Sequence, residues 1–248
     1  MALAMTSMTA GSGGGEVHGD AGDDILKGGT GASYLFGEDG NDTLYAEGNT
    51  NQLFGGIGND SLFGGTTSAK MFGGDGDDIL SSGSGGGQAF GELGNDILIG
   101  GDGNDQLSGG CGADMLNGGA GADFLAGDAG ADLLTGGNGA DTFYFVSGDS
   151  TAAAMDTITD FTVGTDKLQL FGVKSTALNT VFDATIYATY SEAQAHATAL
   201  ITSGADDIVV FRGIDGNTYV FSDACNSNTV NLAIKLTGLK ALATTDFI

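Results

Sequence analysis

The sequence predicts an all-β protein whose larger part is a solenoid, and three observations carry that prediction. Glycine is crowded toward the start: forty of the 47 glycines precede residue 148. Within that part the sequence repeats every nine residues without a break, giving fourteen copies from Gly19 to Tyr144. Position 8 of every copy is apolar: Leu26, Leu35, Leu44, Leu53, Leu62, Met71, Leu80, Ala89, Leu98, Leu107, Leu116, Leu125, Leu134 and Phe143. Glycine-rich tracts are ordinarily flexible linkers, but a linker does not return an apolar side chain to a fixed phase. A stack of turn-plus-strand units must do so, because each unit can bury its apolar residue only against its neighbours.

Charge narrows the partners. The 248 residues carry 32 Asp+Glu, 7 Lys+Arg and no proline, a formal net charge of -25 and a pI near 4.1. A nucleic-acid partner is not expected, since phosphate binding needs clustered Lys or Arg and only Lys27 and Lys70 precede residue 145. Cations are the expected partners instead. No apolar run approaches the length of a membrane span, so membrane insertion is not expected. Residues 1–18 show neither a basic n-region nor an apolar core, so a Sec-type signal peptide is not expected and export would use another route. Cys111 and Cys225 stand 114 positions apart with no metal or redox spacing and read as two unpaired thiols. His18 and His196 are isolated and are expected at the surface. There is no H-E-x-x-H, G-x-S-x-G, Walker lysine or EF-hand spacing, and no enzyme is expected.

Aligned on Gly73-Gly74-Asp75-Gly76-Asp77-Asp78-Ile79-Leu80-Ser81, the copies resemble the RTX calcium-binding nonapeptide, G-G-x-G-x-D-x-U-x. The resemblance implies a right-handed parallel β-roll in which two nonapeptides make one 18-residue turn, with calcium held between the turns. Ca²⁺ takes six to eight hard oxygens, more than one turn offers, so ligands would be shared between copies n and n+2, stacked about 4.8 Å apart. The carboxylate ligand of the family falls at position 6. In the odd copies this column is complete: Asp24, Asp42, Asp60, Asp78, Asp96, Asp114 and Asp132. In the even copies it reads Ser33, Asn51, Ala69 and Gly87 before Asp105, Asp123 and Asp141. Glycine at position 4 permits the positive φ that aims carbonyls inward. The implied carbonyl ligands are therefore Gly22, Gly40, Gly58, Gly76, Gly94, Gly103, Gly112, Gly121, Gly130 and Gly139. One ion between each pair of stacked aspartates gives six odd and two even sites, about eight Ca²⁺ ions.

Position 9 of the even copies without Asp is Phe36, Phe54, Phe72 and Phe90. Strand alternation makes this ladder an outward apolar stripe; the alternative is that turns without calcium tuck the rings into a corner of the core. Ala10 to His18 reads as a degenerate N-terminal copy. The expected organisation is thus residues 1–18, an N-terminal segment; 19–144, the roll; and 145–248, a small β-rich cap with one helix.

In that last part, Ser191 to Ser203 is the predicted helix, with Ser191 and Gln194 as its capping box and Gly204 as its stop. Ile208 to Arg212 and Thr218 to Phe221 predict a hairpin, and Val230 to Leu236 a third strand. The stretches Asp156-Thr157-Ile158-Thr159-Asp160-Phe161 and Gly164-Thr165-Asp166-Lys167-Leu168-Gln169-Leu170 resemble the cap that follows RTX arrays in type I secreted proteins. Asn231 to Leu239 resembles the C-terminal segment of the Caulobacter-type RTX surface-layer protein, and Asp246-Phe247-Ile248 resembles the endings of type I substrates. These likenesses imply the type I secretion machinery as a partner and a secreted, extracellular or cell-surface location. With the repeats beginning by residue 19, no upstream catalytic domain is expected. The expected function is a calcium-folded structural protein that forms a homo-oligomer or polymer, as a surface layer, filament or biofilm matrix. The alternative is a calcium-dependent folding and secretion module of a secreted RTX enzyme or toxin.

Overall fold

A computed structural model describes residues 6–47, 51–146, 148–151, 153–171, 180–187, 189–202, 208–222, 230, 232–238 and 240–248. Each nonapeptide contributes a short strand, and the strands segregate by parity into two parallel stacks. The seven odd copies lie in a 13-stranded sheet and the seven even copies in a 9-stranded one. The pairing register is 18 residues throughout the repeats, as in Leu26↔Leu44, Leu44↔Leu62, Leu35↔Leu53 and Leu53↔Met71. Position 8 of both sheets points between them: all fourteen of these side chains are buried in one continuous core. With a side-chain period of two, positions 7 and 9 then face outward on either side of each core residue.

The two sheets continue on both sides of the fourteen copies. At the N-terminal end Ser7–Thr9 pairs with Ile25–Lys27, and the degenerate copy supplies Gly15–His18, which pairs with Ser33–Asp39. Beyond residue 144, Asp156–Ile158 joins the odd sheet beside Leu133–Gly139, and Lys167–Leu170 joins the even sheet beside Thr142–Phe145. Ile158 and Leu168 enter the core where the next position-8 residues belong.

The odd sheet then changes hydrogen-bonding sense. Leu232–Leu236 pairs in parallel with Asp156–Ile158, and Thr218–Ser222 and Ile208–Gly213 follow antiparallel. These strands are buried on both faces, which is why their sequence runs apolar without alternation. Ile208, Val210, Val220 and Ile234 join the core of the roll. Val209, Phe211, Phe221 and Ala233 face the helix Tyr190–Thr202 through Ala193, Ala197 and Ile201. The capping box of that helix lies two residues earlier than predicted. Thr189 N–H donates to Glu192 Oε2, and Glu192 N–H donates to Thr189 Oγ1, each at 3.2 Å. Ser191 and Gln194 are therefore inside the helix rather than at its start. Ser203, Gly204, Cys225, Asn231 and Leu239 lie outside the described residues. Cys111 is exposed and free; His18 and His196 are both exposed, as expected. No helix among the described residues is long and apolar enough to cross a membrane.

Phe36, Phe54, Phe72 and Phe90 lie on the outer face of the even sheet, half-buried, not in a corner of the core. Their rings stack at centroid spacings of 4.9, 5.0 and 5.2 Å, and His18 extends the stack at 4.7 Å. Lys70 Nζ lies over Phe72 and Phe90, 4.9 and 5.2 Å from their centroids. Each ring thus covers its neighbour's face and shows mainly an edge to solvent.

The core prediction is simple to test. Leu98→Ala, inside the column, should lower stability by about 2–5 kcal/mol, whereas Ile97→Ala, one residue away and outward-facing, should change it by roughly 0.5 kcal/mol or less. Urea midpoints in saturating calcium measure both.

Candidate metal centre

The turns that join the sheets repeat one arrangement of buried carboxylates. Each position-6 aspartate follows a turn and points its side chain back under it, toward the neighbouring turn 18 residues earlier. In the odd column the backbone N–H of Asp24 donates to Asp42 Oδ1, Asp42 to Asp60, Asp60 to Asp78, Asp78 to Asp96, and so on to Asp132, at 2.6–2.8 Å. In the even column Asp105 N–H donates to Asp123 and Asp123 N–H to Asp141, at 2.9 and 3.0 Å. All ten predicted aspartates are buried, and in every one Oδ2 has no hydrogen-bond partner. In Asp105, which begins its column, Oδ1 is unpartnered as well.

A single oxygen of each carboxylate thus ties one turn to the next, and the other is held away from water with nothing to accept from. An uncompensated buried anion is costly, and the usual relief is protonation or a cation. Burial is the main cause of raised pKa values along the row, partly offset by the turn-to-turn hydrogen bond and reinforced by neighbouring carboxylates. Asp78 and Asp114 are pushed up to about 7, and Asp60, Asp96 and Asp141 to about 6. Burial likewise raises Asp105 to about 6, and raises Asp42 and Asp123.

Glycine makes the close approach possible at two positions. At position 1 a Cβ on Gly37, Gly55, Gly73 or Gly91 would strike Oδ2 of the aspartate in its own copy and the position-1 carbonyl of the next like turn. Oδ2 and that carbonyl oxygen therefore border the same small space, so position-1 carbonyls are oxygen donors that the sequence reading did not assign. At position 4, nine of the ten predicted glycines take φ between +92° and +148°; Gly130 does not. A Cβ on Gly40, Gly58 or Gly76 would overlap the position-4 carbonyl of the preceding like turn, which places these carbonyls in a column beside the aspartates.

Two further aspartates continue the columns. Asp132 N–H donates to Asp156 Oδ1 at 2.9 Å, and Asp141 N–H donates to Asp166 Oδ1 at 3.1 Å. Asp156 is fully buried with Oδ2 unpartnered, and burial and the adjoining Asp132 charge raise its pKa. Asp166 differs, because its Oδ2 accepts from Thr162 N–H. The signal was present in the sequence: Asp156-Thr157-Ile158 and Asp166-Lys167-Leu168 repeat the D-x-U of positions 6 to 8. At the other end, Thr6 closes the odd column by donating from N–H and Oγ1 to Asp24 Oδ1, both at 2.6 Å.

The even turns without aspartate are filled differently. Asn51 takes the aspartate's place and accepts from Ser33 N–H at 2.8 Å. Where Gly87 stands in the column, the Ser82 side chain occupies the adjoining space.

The donor set fits a hard divalent cation. Carboxylate and carbonyl oxygens line each step, with no thiol or imidazole, which is the chemistry of Ca²⁺ rather than of zinc or copper. Among the described residues no three His, Cys, Asp or Glu side chains converge on one point. Each step is bordered by two carboxylates only, so the remaining oxygens must come from backbone.

The family model for the peptidase M10 serralysin C terminal matches residues 27–248. The AlgE6R3 subunit of the Azotobacter vinelandii mannuronan C5-epimerase is 27% identical, over 70% of this chain and 78% of that one, with a TM-score of 0.41. The AlgE6R2 subunit of the same enzyme is also 27% identical, over 71% and 90%, with a TM-score of 0.40. The extracellular lipase LipA of Serratia marcescens is 16% identical over the whole of this chain and 40% of its own, with a TM-score of 0.34. No curated protein matches the chain.

The raised carboxylates set a pH dependence. In the unfolded chain these groups ionise near pH 4, whereas in the metal-free roll they hold protons up to about pH 6 or 7. The metal-free fold therefore binds more protons than the unfolded chain in that window, and its stability, fullest below the unfolded value, is lost as pH rises through 6 to 7. In excess chelator, sheet signal by circular dichroism should grow when pH is lowered from about 8 to 5. Calcium affinity should fall over the same interval, because protons and cation compete for the same oxygens. A chelated chain with the same spectrum at both ends would contradict this.

Proposed function

Because the chain belongs to the peptidase M10 serralysin C-terminal family, we propose that it is a calcium-folded β-roll of a secreted protein. Its role is structural rather than catalytic, and outside the cell it self-assembles into a surface layer, filament or biofilm matrix. The observation that carries the calcium reading is the row of eleven buried aspartates, the ten of the repeats and Asp156, each with an unpartnered Oδ2. Ca²⁺ would be held by these oxygens together with position-1 and position-4 carbonyls, and would supply the positive charge that makes the turns stable. Eight odd aspartates from Asp24 to Asp156 make seven steps and Asp105 to Asp141 make two, so the count rises from about eight ions to nine.

Without the cation the repeats hold twenty acidic residues against two basic ones, and ordering each residue costs about 1–2 kcal/mol of backbone entropy. A chain that stays unfolded where calcium is scarce suits threading by the type I secretion machinery, and folding would follow outside at calcium of order 10⁻⁴ to 10⁻³ M. The portion after residue 145 closes the roll and carries the export signal. A second reading, a folding and secretion module of a secreted RTX enzyme, is favoured by the family's own description as a C-terminal region. The intact mass of the natural secreted product separates the two: a product much larger than 24.6 kDa would favour the module.

Calcium titration followed by circular dichroism should show a cooperative gain of sheet, and substantial sheet in excess chelator near pH 8 would sink the proposal. Asp60→Ala should lower the calcium stoichiometry by calorimetry. Asn51→Ala should leave the stoichiometry unchanged, yet it should destabilise the roll by about 1–3 kcal/mol because it strands the buried Ser33 N–H. Equal loss of bound calcium in the two variants would overturn the division between full and vacant columns.

A further inference from the structure

The outer face of the odd sheet bears an apolar stripe. Ile79, Ile97, Met115 and Leu133 occupy position 7 of four consecutive odd copies and pair in direct register, one rung above another. With Ile99 beside them, these side chains are 38% to 51% exposed. They differ from the phenylalanine ladder of the opposite sheet, whose rings are half-covered by one another and by Lys70. Here the aliphatic side chains project into solvent.

The stripe lies on nearly uncharged ground of a strongly acidic chain. Across the seven odd copies, positions 7 and 9 include one charged residue, Lys27, while the position-6 aspartates are buried ahead of the strands. Two copies, each of formal net charge -25 before calcium binds and still negative with about nine ions bound, repel wherever their turns meet. Face to face across this sheet they can bring apolar side chains together without opposing carboxylates. A basic partner would be drawn to the acidic turns instead.

Spacing favours a second copy over any other shape. The rungs recur about every 4.8 Å, and only a surface with the same period can interdigitate with all four. A helix, repeating every 5.4 Å, would drift out of step within a few rungs. A second copy matches the spacing in either direction, and a two-fold axis through the stripe makes the contact self-complementary and closed.

We infer that the odd-sheet face, along Ile79, Ile97, Met115 and Leu133, is the surface through which two calcium-folded copies of this chain pack against each other. The inference rests on the proposal that calcium folds the roll, and it names the lateral contact used in self-assembly. Four rungs are a smaller patch than the roughly 800 Å² per partner of stable complexes, so the isolated contact is a weak one that gains strength when many are arrayed. Because it joins uncharged faces of like-charged bodies, it should strengthen with added salt, the reverse of a charge-driven interface.

Sedimentation velocity of the whole chain in saturating calcium, across protein concentration and ionic strength, tests this. The wild type should show a concentration-dependent dimer that grows as salt rises. The double variant Ile97→Glu and Met115→Glu should remain monomeric while its calcium-induced circular dichroism is retained. The milder pair Ile97→Thr and Met115→Thr places β-branched side chains, which suit strands, at both positions, and should weaken dimerisation at least tenfold should the glutamates disturb folding. Phe54→Ser with Phe72→Ser, on the opposite sheet, should leave the dimer intact. A wild type that folds with calcium yet stays monomeric, or that dimerises equally well with both stripe pairs replaced, overturns the inference. Loss of the dimer only in the phenylalanine variant overturns it in favour of the other face. A chain that does not fold with calcium at all instead fails the underlying proposal, and circular dichroism recognises that outcome before sedimentation begins.

Discussion

The structure depends on a carboxylate that is half satisfied. Each position-6 aspartate commits Oδ1 to the backbone N–H of the neighbouring turn and leaves Oδ2 buried with no donor. The first bond fixes the stacking of turns, and its geometry forces the second oxygen inward. The glycines follow from this: position 1 must lack a Cβ because Oδ2 lies against it, and position 4 must lack one because a carbonyl does. The excess of acid over base follows in part, since an aspartate stands at position 6 in ten of the fourteen copies. The apolar column can then be narrow, because the turns rather than a thick core keep the sheets in register.

The same constraint explains why the two sides of the roll are not alike. On the odd side the aspartates run unbroken, and every turn carries the same uncompensated charge without a cation. On the even side the first four copies use Ser33, Asn51, Ala69 and Gly87, and neutral groups replace the anion: Asn51 makes the turn-to-turn bond, and Ser82 fills space beside Gly87. Those turns are less dependent on a cation, and the phenylalanine ladder sits on their strands. Stacked rings at about 5 Å spacing supply cohesion between those strands. This division gives a physical reason for Phe36, Phe54, Phe72 and Phe90 to stop where Asp105 begins: Ser108 and Ala126 continue their column.

The parts of the fold that obey a fixed period were legible in the sequence. The nine-residue phase located the core column from Leu26 to Phe143, though not Ala46 and Ala69, which join it from other positions, and the parity of the copies separated the two columns. What escaped was whatever departs from the period while keeping its chemistry. Asp156 and Asp166 stand 24 and 25 residues after their predecessors instead of 18, because loops are inserted before the last strands, so phase alone could not find them although D-x-U could. Thr6 escaped because it closes a column from outside it. The helix cap was misplaced since Ser191 and Gln194 satisfy the same pattern as Thr189 and Glu192, and only packing of Ala193, Ala197 and Ile201 decides which turn comes first. The aliphatic stripe was overlooked because position 7 is variable over the whole array and uniform only over four rungs.

A parallel stack has two ends, and its terminal strands would expose unpaired backbone groups. At the C-terminal end the odd sheet is carried into antiparallel strands covered by the helix, so its edge moves away from the metal columns. The even sheet is closed by the end of the chain itself. Phe247 bridges to Leu168, Ile248 N–H donates to Leu168 carbonyl, and Asp246 is buried, accepting from Gly164 and Ala243. Asp246-Phe247-Ile248, the segment that resembles an export signal, is thus part of the folded cap, with Phe247 in the same core as the position-8 column. Its contacts come from Gly164, Leu168 and Ala243, and between the first two Asp166 accepts from Asp141 N–H. Phe247 shares the core of the position-8 column, and the backbone of Ile248 is held by the last even strand, so the column, the terminal aspartates and this segment close the even sheet as one unit.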